Sequence, residues 1–275
     1  MVGVGFNSAG VDTGVARAPA ALRAAGLVRA VGGRDAGNVA FAGLSPERGP
    51  RSGLLAEEAL ISMAGEVRLA VEAAYRRGTF PLVVGGDCPV LLGVLAASPD
   101  DGLLFVDGHE DAWPPRESTT GEAADCELGL ALGFTSANLP SLPLIEPGQV
   151  AMLGPRDAAE LAEADVPSVR DRVWLRTDED LHGRVAECTG SALDHLRTER
   201  FWLHVDLDVL STESLAAVDY RQRGGLDWDE LGEITRRALG DGRCAGMSVT
   251  IYNPDLDPSR DGARRIVDYL DGQFQ

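Results

Sequence analysis

The chain contains no lysine: all 25 of its basic residues are arginine. That excludes a Schiff-base lysine, a P-loop and a lysine general base. Its four cysteines, Cys88, Cys126, Cys188 and Cys244, lie far apart and form no C-x-x-C pair. Neither a disulfide framework nor zinc-finger spacing is present. No uncharged apolar run reaches 18 residues, and no basic stretch leads into a signal-like segment, so the expectation is a cytoplasmic protein with no membrane partner. Positive charge is also scarce. With 43 acidic residues against 25 basic ones the net charge is −18. Such a chain repels a phosphate backbone, which argues against nucleic acid and is compatible with a cationic small molecule.

What is present is a regular alternation of strand and helix signals. At 275 residues and 44% apolar content the chain can bury a full core. Apolar strand patterns fall within residues 1–10 and at Val39 to Gly43, Phe80 to Val84, Leu103 to Val106, Gln149 to Gly154, Val173 to Arg176, Phe201 to Asp208 and Cys244 to Ile251. Between them lie helical patterns from Pro19 to the glycine stop at Gly26, from Leu54 to Gly78, from Pro89, from Leu128, and from Asp157 to Ala164. Further helices are expected from Glu179 to Glu199 with an interruption near Gly190, from Asp227 to Leu239 behind an Asp227/Glu230 capping box, and from Ser259 to Leu270. The expected fold is one α/β domain over residues 1–275. It has three layers, α/β/α, with a mainly parallel sheet of seven or eight strands and helices on both faces.

Two of these strands end in acids. In GLLFVDGHEDAW, Leu103, Phe105, Asp107, His109 and Asp111 share one parity, which puts Asp107, His109 and Asp111 on one face at the strand's C-terminal end. In FWLHVDLDVL, His204, Asp206 and Asp208 share the other parity from Leu203, Val205, Leu207 and Val209. Open α/β sheets place their sites at such ends. Burying ionised carboxylates without a partner costs several kcal/mol each, so a divalent cation held by Asp and His is the expected answer.

Four segments, GGDCP at 85–89, DGHED at 107–111, HVDLDVL at 204–210 and TIYNP at 250–254, resemble in order and spacing the ureohydrolase family of arginase, agmatinase and formimidoylglutamase. The N-terminal GVDTGVARAPAALRAAGL is similar to that family's opening as well, so the likeness spans nearly the whole chain. It implies the arginase/deacetylase-like α/β fold, a manganese site of one or two ions, a small-molecule substrate and a homo-oligomer. It also implies Asp107, His109, Asp111, Asp206 and Asp208 as metal ligands. Cys88 falls where the family has a histidine, and a thiolate suits Zn2+ or Fe2+ better than Mn2+. Two cations bridged by Asp107 and Asp206 would acidify a shared water for attack on a planar carbon, with His109 and Asp111 as catalytic candidates.

Departures from the family pattern bear on the substrate. The glutamate that grips a guanidinium falls at Ile251, a histidine of arginase at Ala124, an asparagine at Trp113, and the usual Asp-Pro after the second metal acid at Ser211 and Thr212. The expectation is therefore a metal-dependent hydrolase of a non-peptide C–N bond in an amidine, guanidino or amide substrate other than arginine. The alternatives are a single-metal, deacetylase-like amide hydrolase and a non-catalytic member that binds metal or a partner. Trp113, Glu122, Asp125 and Ile251 are the candidate substrate-binding residues, against the plainer reading of a solvated loop with a rim tryptophan. His204 reads first as a hydrogen-bonded core histidine and second as an added acid-base group. Cys126, Cys188 and Cys244 read as small apolar fillers, and His182 and His195 as surface residues.

Overall fold

The structure, a computed structural model, describes residues 1–134, 139, 142 and 144–274. Seven apolar segments form its strands: β1 (Val2–Val4), β2 (Leu82–Gly85), β3 (Gly102–Val106), β4 (Val150–Leu153), β5 (Trp174–Arg176), β6 (Phe201–Asp206) and β7 (Cys244–Thr250). They make one sheet in the order β1-β2-β7-β6-β3-β4-β5, and every pairing is parallel. The chain crosses from β2 to β3 and only later fills the space between them with β6 and β7. The four segments that carry chemistry thus end side by side at the C-terminal ends of the central strands β2, β7, β6 and β3.

The helices are α1 (Ala18–Ala24), α2 (Leu27–Ala30), α3 (Glu57–Arg76), α4 (Val90–Ala96), α5 (Glu127–Ala131), α6 (Ala158–Glu163), α7 (Asp178–Leu181), α8 (Val185–His195), α9 (Trp228–Gly240) and α10 (Asp261–Asp271). Because β3 and β6 are buried on both faces, they read as continuous apolar runs rather than alternating ones. Leu103 and Phe105 pack with α3, α4 and α5, while Leu104 and Val106 pack with α1, α8, α9 and α10. On α3 the buried Leu60, Met63, Val67 and Val71 fall at spacings of three and four, one stripe facing the sheet. Each such side chain contributes roughly 1.5–3 kcal/mol over its exposed state. Among the described residues no helix is long and apolar enough to cross a membrane.

Some local expectations need correction. Among the described residues the sheet has seven strands, because Val39 to Gly43 does not form one. Only Asn38 bridges to Gly3 there, on the edge of β1, and the segment is too exposed to pay for more pairing. The long helix of residues 179–199 breaks at His182–Arg184, where Gly183 takes φ 73°, and not at Gly190, which lies inside α8. The strand parities also stop short: β3 ends at Val106, and Leu207–Val209 is a 3-10 turn. Asp111 reaches the site through a backbone with φ 43°, not through strand alternation.

Candidate metal centre

The centre is built where β2, β7, β6 and β3 end. After β2 the chain makes the tight turn Gly86-Asp87-Cys88, in which a Cβ on Gly86 would strike the carbonyl oxygen of Phe6. Asp87 is held there by the backbone N–H of Ser8 at 2.7 Å and that of Cys88 at 3.2 Å. Burial pushes its carboxyl up to about 6, against the Ser8 hydrogen bonds that favour the charged form.

After β3 the backbone N–H of His109 donates to Asp107 Oδ1 at 2.8 Å, and that of Gly108 donates to Asp208 Oδ1 at 3.3 Å. A Cβ on Gly108 would come within 2.5 Å of Arg156 Nη1 and 2.9 Å of the Asp208 carbonyl oxygen, so only glycine fits this close approach. Arg156 in turn donates to that carbonyl at 2.6 Å. His109 Nδ1 lies 3.2 Å from Asp208 Oδ2 and 3.7 Å from Asp107 Oδ1. On β6, Asp206 Oδ1 accepts from the N–H of Asp208 at 3.0 Å, and Asp206 Oδ2 accepts from Thr250 Oγ1 at 3.1 Å.

Three groups of side chains thereby bring ligand atoms within 4.8 Å of one another: Asp107, His109 and Asp208; Asp107, His204 and Asp206; and Cys88, Asp111 and Glu127. Asp107 Oδ2, His109 Nε2 and both carboxylate oxygens of Glu127 are buried without a hydrogen-bond partner. Burial and the neighbouring Asp208 charge push Asp107 up to about 6. Burial and like charges raise Asp111, Glu127 and Asp206 well above the usual carboxylate range. Burial opposes a charge on His109, but Asp208 and Asp107 outweigh it and raise its pKa well above the ordinary value. Crowded, desolvated acids with unused lone pairs are what a divalent cation relieves, so the residues present fit a metal.

Residues 1–270 match the Arginase family. The chain belongs to the arginase family. It is 25% identical over 291 residues to arginase-1 of Rattus norvegicus, covering 97% of this chain and 88% of that protein. The native arginase structure from Bacillus caldovelox superimposes with a TM-score of 0.88 at 24% identity, covering 99% of this chain and 96% of that one. The agmatine ureohydrolase of Thermoplasma volcanium gives 0.76 at 18% identity, covering 99% and 87%. Arginase-family proteins are metal-dependent hydrolases of C–N bonds, and this chain is an enzyme of that kind.

Within this arginase-family fold the centre opens into a cavity of about 480 Å³. Trp113, Glu122, Asp125 and Ile251 all line it, together with Cys88, His109, Asp111, Asp206 and Asp208. Asp125, however, braces its own loop, accepting from Ser118 Oγ at 2.6 Å and Thr120 Oγ1 at 2.5 Å. Glu122 is half-buried like Asp125. Burial, with the charges of Asp87, Asp125 and Asp219, pushes it up to about 7. Ile251 forms an apolar wall at φ 71°, a backbone region that a β-branched residue rarely adopts.

His204 proves to be a core histidine beneath the centre. It stacks on Phe105 at 5.2 Å between ring centroids, and its Nδ1 lies 2.7 Å from Ser248 Oγ. Burial lowers its pKa to about 3, so it stays neutral. Cys126 and Cys188 are buried and Cys244 half-buried. His182 faces Glu230 at 3.0 Å, and His195 stacks on Trp174.

Sequence reasoning missed Glu127, Arg156, Asp157, Glu160, Asp219 and Tyr220. The last four line the cavity but come from loops and helix starts without strand periodicity. Tyr220 packs edge-on to His109 at 5.2 Å, and its hydroxyl donates to Glu160 at 2.9 Å. The one available signal for Glu127 was an acid opening the apolar run Leu128–Leu132, and it suggested only a helix start.

Proposed function

We propose that this arginase-family hydrolase cleaves the C–N bond of an amidine, guanidino or amide group on a substrate that carries a cationic amine and no carboxylate. The observation that carries this reading is the cavity wall. Six carboxylates line it besides the metal-binding acids, namely Asp87, Glu122, Asp125, Asp157, Glu160 and Asp219, and no arginine lines it among the described residues. Such a wall attracts an amine and repels the carboxylate of an amino acid. At the reacting end Ile251 offers no charge to a guanidinium, whereas an apolar face and Trp113 can pack a planar head group.

Asp107, His109, Asp206 and Asp208 would hold Mn2+ or a similar divalent ion, and Asp111 with Cys88 would face a second. Bound metal supplies Lewis acidity and a water acidified enough to react near neutral pH. Within that frame the side chains have separate tasks. Asp208 and Asp107 fix the ring of His109 from its Nδ1 side. Asp111, whose charge burial and the neighbouring Glu127 disfavour, would have that charge met by the second ion and so be held as a carboxylate facing the reacting group. Tyr220 and Trp113 line the cavity, and their rings can pack against a bound head group.

Turnover on a panel tests the reading. Mono-substituted diamines with an amide or amidine head should be hydrolysed, and arginine and agmatine should trail the best of them by roughly two to four powers of ten in kcat/KM. That range is what losing a charge-assisted grip of about 3–5 kcal/mol predicts. Efficient urea release from arginine by the unaltered protein would overturn it.

A further inference from the structure

The second half of the centre has a thiol where the resemblance places an imidazole, and a buried carboxylate, Glu127, beside it. Cys88 stands at the histidine position, with its thiol facing the carbonyl of Ala124 at 3.8 Å. Glu127 is fully buried, neither of its oxygens has a hydrogen-bond partner, and its carboxylate lies in one cluster with Cys88 Sγ and Asp111.

The fold pins Glu127 in that place. It is the first residue of α5, whose Leu128, Leu130 and Ala131 are buried in the core. The N–H of Gly129 donates to the carbonyl of Asp111 at 3.0 Å, and a Cβ on Gly129 would lie 2.8 Å from Ala112 Cα. The start of α5 is thus locked against the backbone that carries Asp111, and Glu127 cannot swing to solvent without lifting the helix. A carboxylate buried this way costs several kcal/mol unless a cation or a proton meets it.

We infer that Glu127, with Cys88 and Asp111, forms a rebuilt metal position of mixed thiolate and carboxylate donors, in which Glu127 supplies the ligand lost with the histidine. Asp206 stands at its border, close enough for its charge to act on Cys88. The donor chemistry differs from that of the other half: a soft thiolate in place of a neutral imidazole, and one more anion. Zn2+, Fe2+ or Co2+ should therefore be preferred over Mn2+ at this position. The inference rests on the reading of the centre as a metal site.

Metal titration with a spectroscopic readout tests it. The chelator-stripped chain is loaded with Co2+, and both bound metal per chain and the electronic spectrum are measured. The unaltered chain should bind two ions and show a sulfur-to-cobalt charge-transfer band in the near ultraviolet. Cys88→Ser should abolish that band. Glu127→Gln, an isostere checked for folding by circular dichroism, should lose one ion or weaken its binding by about tenfold or more. Unchanged stoichiometry and affinity in Glu127→Gln would overturn the inference, because the glutamate would then be paired by a proton shared with Asp111. An unaltered chain that takes up Co2+ without a sulfur band would overturn it too. A chain that binds no ion would overturn the functional reading as well, whereas one ion held equally by both proteins would overturn this inference alone.

Discussion

The two halves of the centre face one cavity and are built differently. On the β3–β6 side, Asp107, His109 and Asp208 sit in the first residues after the strands, with backbone N–H groups and Arg156 fixing their turns. On the β2–α5 side, the donors come from a glycine turn, a left-handed backbone at Asp111 and the first residue of a short helix. The first half keeps the Asp and His residues on which the resemblance to ureohydrolases rests, and the second has Cys88 and Glu127 where that resemblance gives an imidazole. The contrast teaches that strand ends of a parallel sheet hold ligands in register by backbone geometry, while positions on turns and helix starts can change chemistry without disturbing the sheet.

The largest effect should follow from removing the residue between the halves. Asp206 adjoins Asp107 on one side and acts on Cys88 on the other. Asp206→Ala should release both ions and lower turnover by about a thousandfold or more, roughly 4 kcal/mol of transition-state stabilisation. Metal analysis after desalting checks it, and full metal content in that variant would erase the distinction drawn here. Next in size is Ile251→Glu, which places a carboxylate on the apolar wall. One charge-assisted hydrogen bond of about 1.5–3 kcal/mol corresponds to a gain of roughly 10–100-fold in kcat/KM for guanidino substrates. Kinetics on agmatine before and after the change would show whether the wall, and not the metal, excludes that head group.

Cys88→His restores an imidazole to the rebuilt half. Mn2+ should then bind there more tightly by about tenfold, with the other half unaffected. A competition between Mn2+ and Zn2+ measured per site would show it, and equal ratios in both proteins would mean that the thiol does not set the preference.

The smallest effect concerns Glu122, away from both halves. Its pKa of about 7 in the folded chain lies above the ordinary 4.5, so its neutral form is favoured by folding. That contribution is complete below about pH 4.5 and is lost as pH rises through about 7. Glu122→Gln should flatten the fall in thermal stability of the metal-free protein across this window. A denaturation series from pH 4 to pH 8 reads it directly, and parallel curves for the two proteins would place the pH dependence elsewhere.

The alternation of apolar strands and amphipathic helices by itself determined a parallel three-layer fold, because strands buried on both faces leave continuous apolar runs such as Leu103–Val106 that no loop would carry. The acids closing those runs, Asp107 and Asp206, were legible as candidate ligands for the same reason: a charge at the end of a buried strand needs a partner. Sequence periodicity ends where the strand ends. How Asp111 enters the centre through φ 43°, how Glu127 is pressed beside Cys88, and how Asp219, Tyr220 and Glu160 meet across one cavity were decided only in the tertiary structure. These residues are brought together by chain crossings and helix packing, which depend on contacts between segments far apart in sequence.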